Sequence, residues 1–253
     1  MDKLQLFREL MKANFLKWDH LASDQDRKIP QPPIESDLPK YYQEGEIIEL
    51  PGITNEIIVK KNIFLVLNDR MSRRKYNKQA LTLEELSFLL WATQAVKRIR
   101  GKYASTVRNV PSAGARHPFE TYLAIHRVHG LKRGVYRYLA LSHQLIFLFD
   151  HENLELEMTK IALDQEFVGD SAVTFIWSCV PYRGEWKYYI SAHKSMLIDV
   201  GHLCQNLYLA CEAIGCGTCA VAAYDQYMVD EFLNLDGDEN FVIYLASVGR
   251  IDE

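Results

Sequence analysis

The 253-residue sequence has little that would stretch, staple or anchor a chain. Glycine and proline are sparse, 13 and 8 residues, so neither a collagen-like repeat nor a low-complexity linker fits. The five cysteines are an odd number, and the charged start Met-Asp-Lys-Leu-Gln-Leu-Phe-Arg-Glu lacks the apolar stretch of an export signal. Free thiols and a cytoplasmic location are the expectation. The longest apolar runs, such as residues 172–177, fall far short of the roughly 20 residues that cross a bilayer, so no membrane association is expected. Neither charge sign dominates: 29 basic against 33 acidic side chains leave a net charge of −4. A nucleic-acid partner, which asks for concentrated Lys and Arg, is not expected.

What is present suits one large domain. Hydrophobic residues make up 48% of the chain, and a chain of this length buries roughly 70–75% of its unfolded surface. Leu4, Phe7, Met11, Phe15, Trp18 and Ala22 recur at helical spacing, which predicts an N-terminal helix docked against the rest. Residues 28–56 hold five of the eight prolines (Pro30, Pro32, Pro33, Pro39 and Pro51) and read as an extended arm. Residues 1–60 are therefore set apart from a globular unit at 61–253. Within that unit Thr82-Leu83-Glu84-Glu85 fits a capping box opening a helix. Strands are expected at 119–128, 135–138, 172–180 and 241–248, and helices at 152–164 and 225–234. A long helix at 188–214, apolar on more than one face, should end at Gly215 and lie in the core or a subunit interface. The class is α+β.

Several segments could carry chemistry. In Arg70-Met71-Ser72-Arg73-Arg74-Lys75, residues 70, 72 and 74 project to one side of an extended stretch. Two guanidinium forks then flank a hydroxyl, a donor set that suits a phosphate. A solvated basic turn is the plain alternative. Pro111-Ser112-Ala113-Gly114-Ala115 is a small-residue loop that could approach a flat ligand or simply turn the chain. Gly215-Cys216-Gly217-Thr218-Cys219-Ala220 mimics a dinucleotide fingerprint, but a helix precedes it where that motif needs a strand. Its Cys-x-x-Cys has no second pair to complete a zinc site, and no metal is expected. Lys187-Tyr188 joins an amine to a phenol, either a proton-moving pair or an exposed Lys beside a packed Tyr.

Taken in order, these blocks resemble the FMN-dependent nitroreductase family, and in particular its SagB-type (thiazole/oxazole-forming) dehydrogenases. The resemblance rests on the 70–76 block, the 82–92 helix, the loop from Pro111 to Tyr122, the helix from Asp199, Gly215-Cys-Gly-Thr, Tyr224-Asp225 and Gly249-Arg250. It implies a nitroreductase-like FMN-binding domain at 61–253, a central mainly antiparallel sheet flanked by helices, and a homodimer with FMN at its interface. Arg70, Ser72 and Arg250 would hold the FMN phosphate and ribityl chain, with Arg74 toward the ribityl chain and the pyrimidine end. Pro111, Ser112, Ala113 and Gly114 would line the flavin from the second subunit, and Ala222 and Ala223 would offer backbone N–H groups near N5. Lys187 and Tyr188 stand where the dehydrogenase branch keeps a proton-removing pair. The substrate implied is a peptide or small molecule. An NAD(P)H-dependent nitroreductase or quinone reductase, and a flavin-binding protein without turnover, are the other readings. Ala223 and residues 189–194 depart from the family pattern, so substrate contacts are expected to differ.

Overall fold

The computed structural model describes residues 2–13, 15–18, 21–37, 45–102 and 105–252. In chain order the elements are α1 (Lys3–Leu10), α2 (Phe15–Trp18), β1 (Ile47–Glu49), α3 (Ile63–Asp69), α4 (Leu83–Thr93), β2 (Arg98–Arg100), β3 (Ser105–Val107), β4 (Phe119–Ile125), β5 (Gly134–Leu139), β6 (Gln144–Phe149), α5 (Leu154–Ile161), α6 (Glu166–Gly169), β7 (Val173–Cys179), α7 (Tyr182–Tyr188), α8 (Ala192–Ala213), β8 (Cys216–Val221), α9 (Gln226–Phe232) and β9 (Phe241–Arg250). Seven strands form one sheet in the order β1-β6-β5-β4-β7-β9-β8, and every neighbouring pair is antiparallel. This is the α+β architecture with a central antiparallel sheet that the sequence implied.

Two cores line the two faces of the sheet, and strand alternation assigns residues to them. On β4, Phe119, Leu123 and Ile125 face the larger core with α4 and α8, while Tyr122 and Ala124 face the smaller one with α5 and α9. The capping box forms as expected: the Thr82 hydroxyl accepts from the Glu85 N–H at 3.2 Å, and the Glu85 carboxylate accepts from the Thr82 N–H at 2.9 Å. Gly215 stops α8 with a left-handed φ of 71°.

Four local expectations need correction. The N-terminal helix does not run from 4 to 22: it breaks at 11–13, α1 buries no residue, and Leu4, Phe7 and Met11 are exposed. Its two short pieces cannot nucleate a long helix without tertiary support. The arm is not set apart from the globular unit along its whole length, because β1 joins the sheet edge against β6. Pro39 and the side chain of Trp18 lie outside the described residues. The long helix begins at Ala192, because Tyr189 at φ 47° separates it from α7. Five strands, β1, β2, β3, β6 and β8, lie outside the four that the sequence predicts. All five cysteines are buried and free, and among the described residues no helix is long and apolar enough to cross a membrane.

Candidate functional site

Helix α8 organises the site. Its buried face carries Met196, Val200, Leu203, Leu207, Ala210 and Cys211 into the core, spaced three and four apart. Two polar residues on the same helix reach outward to the sequence-predicted segments. Asp199 accepts the Ala113 N–H at 2.9 Å, and Tyr208 shares a hydrogen bond of 2.9 Å with the Ser72 hydroxyl. Nine residues separate them, about 13.5 Å of helix at about 1.5 Å per residue.

At the Tyr208 station the basic segment runs beside β8. Ser72 bridges Thr218 in parallel, and the Arg73 N–H donates to the Thr218 carbonyl at 3.0 Å. Arg70 lies over the Tyr208 ring at 5.3 Å, Arg74 lies over the Phe167 ring at 5.7 Å, and Arg73 stands 4.0 Å from Glu212 on α8. Neither Arg70 nor Arg74 meets a carboxylate among the described residues, and Arg74 is exposed. Arg250 sits opposite Cys216 on β8, two residues along from Ser72's partner. One arm of its fork donates to Glu85, the residue that also closes the α4 capping box. Burial pushes the Cys219 thiol up, opposed by Arg74 and by hydrogen bonds to Ser72, Tyr208 and Arg74, which marks these side chains as neighbours. Beyond β8, Ala222 and Ala223 are exposed, and neither N–H finds an acceptor among the described residues.

At the Asp199 station the small-residue loop is tightly wound. Gly114, Ala115 and His117 have φ of 59°, 53° and 44°, three left-handed residues within four positions. Such backbone costs about 1–3 kcal/mol per non-glycine residue and persists where the surroundings enforce it. Here the Ser112 hydroxyl accepts the His117 N–H at 2.9 Å, and Asp199 holds Ala113. Burial raises the Asp199 carboxyl above its ordinary range, with the Ser112 hydroxyl and the Ala113 N–H opposing it. Pro111 is exposed at the loop mouth.

Lys187 and Tyr188 close on this loop. A Cβ placed on Gly114 would lie 2.7 Å from the Tyr188 hydroxyl and 2.9 Å from Lys187 Nζ, so a side chain there would push both tips away from the loop. The ammonium also stands 5.2 Å from the Tyr188 ring centre. Both side chains are half-buried. The structure thus joins Lys187, Tyr188, Ala113 and Gly114 into one cluster and Arg70, Ser72 and Arg74 into another, with α8 between.

Sequence reading missed Asp199 and Tyr208 as site residues. A Tyr within a buried helix was the available signal, because a buried phenol needs a hydrogen-bond partner. The Cys-x-x-Cys segment is strand β8, where positions three apart point to opposite faces, so Cys216 and Cys219 cannot share an ion.

The comparisons agree with this architecture. The chain is 33% identical to a nitroreductase-family protein of Methanocaldococcus jannaschii over 203 residues, 80% of this chain and 96% of that one. It is 28% identical to the trifolitoxin-processing protein TfxB of Rhizobium leguminosarum bv. trifolii over 131 residues, half of this chain and 35% of TfxB. In fold it resembles a chain of the E. coli microcin synthetase McbBCD complex, solved with truncated pro-MccB17 bound, at a TM-score of 0.60 and 20% identity over 100% of this chain and 98% of that one. The family model described as the nitroreductase family matches residues 67–250, from just before the arginine segment to the end of β9, and the chain belongs to that family.

Proposed function

We propose that this chain is a cytoplasmic FMN-dependent oxidoreductase of the SagB dehydrogenase type, acting as a homodimer on an azoline ring in a peptide or small molecule. The contact of Lys187 and Tyr188 with Gly114 carries the reading. It sets two proton-handling groups against the loop that the family resemblance assigns to the flavin. The likenesses to TfxB and to the microcin synthetase chain favour a peptide substrate.

The donor set fits FMN. Among the described residues Arg70 and Arg74 meet no carboxylate, which leaves two forked cations and the Ser72 hydroxyl for a phosphate dianion and the chain leading from it. Exposed Ala222 and Ala223 N–H groups can meet the flavin edge, and Arg250 offers what Glu85 leaves of its fork. When bound, FMN supplies the hydride acceptor and an acceptor such as dioxygen reoxidises it. Oxidation of an azoline to an azole removes one hydride and one proton. Lys187 Nζ as the neutral amine, or Tyr188 Oη as the phenolate, takes that proton. Ser112, Ala113 and Gly114, fixed by Asp199, form the wall beside which the ring lies. The two stations stand about 13.5 Å apart on α8, an arrangement in which each FMN is held by the arginine segment of one subunit and the loop of the other. Leu197 and Ile198, 63% and 49% exposed on α8, offer an apolar surface to a second copy.

The 33% identical nitroreductase-family relative favours a second reading, a nitroreductase or quinone reductase fed by NAD(P)H. Purified protein should carry FMN, identified from the absorption spectrum and after denaturation; protein that neither contains nor binds FMN ends both readings. Lys187→Ala and Tyr188→Phe should each lose oxidation of a thiazoline peptide while retaining FMN, and full activity in both removes their assigned role. Rapid bleaching of the flavin by NAD(P)H in stopped flow would instead select the second reading.

A further inference from the structure

Helix α7, which ends in Lys187 and Tyr188, is only seven residues long, and no side chain caps its N-terminus at Pro181. A helix this short does not hold its own place in water. Its hydrogen bonds run to residues 24–36 of the N-terminal arm. The Tyr182 hydroxyl donates to Asp24 at 2.8 Å, and the Gln25 N–H donates to the Trp186 carbonyl at 2.8 Å. The Trp186 indole donates to the Ile29 carbonyl at 2.9 Å. Arg183 donates to the Pro33 carbonyl at 2.9 Å and to the Ser36 hydroxyl at 2.8 Å. Glu120 on β4 locks the far end: it accepts the Ser36 N–H at 2.8 Å, Arg137 at 3.2 Å, and Arg183. Glu120, Arg137, Arg183 and Trp186 are all nearly fully buried.

The same arm reaches the other side of the Gly114 contact. Arg116, two residues beyond Gly114, donates to Gln31 at 3.2 Å and to the Arg183 carbonyl at 3.1 Å, and lies 5.0 Å over the Trp186 ring. The arm therefore touches both partners whose mutual placement defines the Lys187-Tyr188-Gly114 cluster.

We propose that residues 24–36 are a splint that positions Lys187 and Tyr188 against Gly114, with the Ser36–Glu120–Arg183 junction as its latch. This rests on the acid/base reading of that pair. Ser36, Asp24 and Glu120 are positioning residues: they fix α7, which in turn fixes the groups that move the proton. Geometric errors of about 1 Å at such groups can cost about a hundredfold in rate.

The test uses the full-length protein with FMN. Glu120→Gln attacks the latch but strands buried arginines, so the decisive variant is the double replacement Asp24→Ala with Ser36→Ala, which leaves the core intact. Three quantities are read: hydrogen exchange of amides 182–188 against those of β7, acetylation of Lys187 by acetic anhydride followed by mass spectrometry, and turnover of a thiazoline peptide. The double variant should retain its flavin spectrum, exchange α7 amides at least tenfold faster while β7 is unchanged, acetylate Lys187 faster, and lose about tenfold in kcat with KM within twofold. Wild-type exchange across α7 overturns the splint. So does unchanged turnover in the double variant when Lys187→Ala abolishes it. If α7 loosens but Lys187→Ala and Tyr188→Phe are both fully active, the acid/base reading falls and the mechanical coupling of arm to helix stands.

Discussion

Two sets of arginines in this molecule are used in opposite ways. Arg137 and Arg183 are nearly fully buried around Glu120, and most of their donors go to that carboxylate and to the arm. Arg70 and Arg74 lie at the surface beside aromatic rings and meet no carboxylate among the described residues. The lesson is that pairing, not residue type, separates a structural cation from a ligand-binding one. Burying a guanidinium is tolerable only with partners, so the inner set is paired by necessity, even though Arg137 Nε and Arg183 Nη1 find no acceptor among the described residues. The outer set pays no such penalty and is left with donors to offer.

The sharpest way to break the contrast is to remove the shared acceptor. Glu120→Gln should destabilise the fold by about 3–5 kcal/mol, the usual cost of leaving buried charge unpaired, read as a lowered midpoint in urea. Arg70→Ala and Arg74→Ala should barely move that midpoint. Instead each should weaken FMN binding by about 10–100-fold, as the loss of a charge-assisted hydrogen bond worth about 1.5–3 kcal/mol implies, measured by fluorescence titration of the apoprotein. Equal destabilisation by all three changes would erase the distinction between the sets. Tyr208→Phe should weaken FMN binding less, by about fivefold, because it frees Ser72 rather than removing a cation.

Acid sharpens the comparison further. Burial alone would raise the Glu120 carboxyl, but Arg137 and Arg183 outweigh it and hold it at about 2, below its ordinary 4.5. Its contribution is present above the unfolded value and is lost as pH falls from 4.5 through about 2. Asp199 has the opposite sign: burial raises it, so its contribution is present below 3.8 and is lost as pH rises through its raised value. In a pH series of urea midpoints, Glu120→Gln should flatten the acid side, and Asp199→Asn should remove the smaller decline above it.

Much of the fold was legible because its signals are local. Thr82 and Glu85 are three residues apart, and Gly215 needs only its own backbone to stop α8. β8 was not legible: Cys-Gly-Thr-Cys-Ala-Val is a weak strand former that becomes a strand by pairing with β9. The break at Tyr189 was equally hidden, because an apolar stretch reads as continuous until tertiary packing imposes a left-handed residue. At the site, the arginine segment, the small-residue loop and the Lys187-Tyr188 pair could be named from sequence. Their supports could not, since Asp199 is 86 residues from Ala113, Tyr208 is 136 from Ser72, and Glu120 is 63 from Arg183.

The bridge between Ser72 and Thr218 has one more consequence. Strand β8 is an outer member of the seven-stranded sheet, and an outer strand presents unpaired peptide groups on which another chain can add. The segment after Arg70 occupies part of that margin, with Arg73 bonded to Thr218 and Asn77 to Arg250. The segment that carries Ser72, assigned to the phosphate, therefore also covers part of the sheet edge. Substitutions that loosen it should show in the solubility of the protein as well as in its colour.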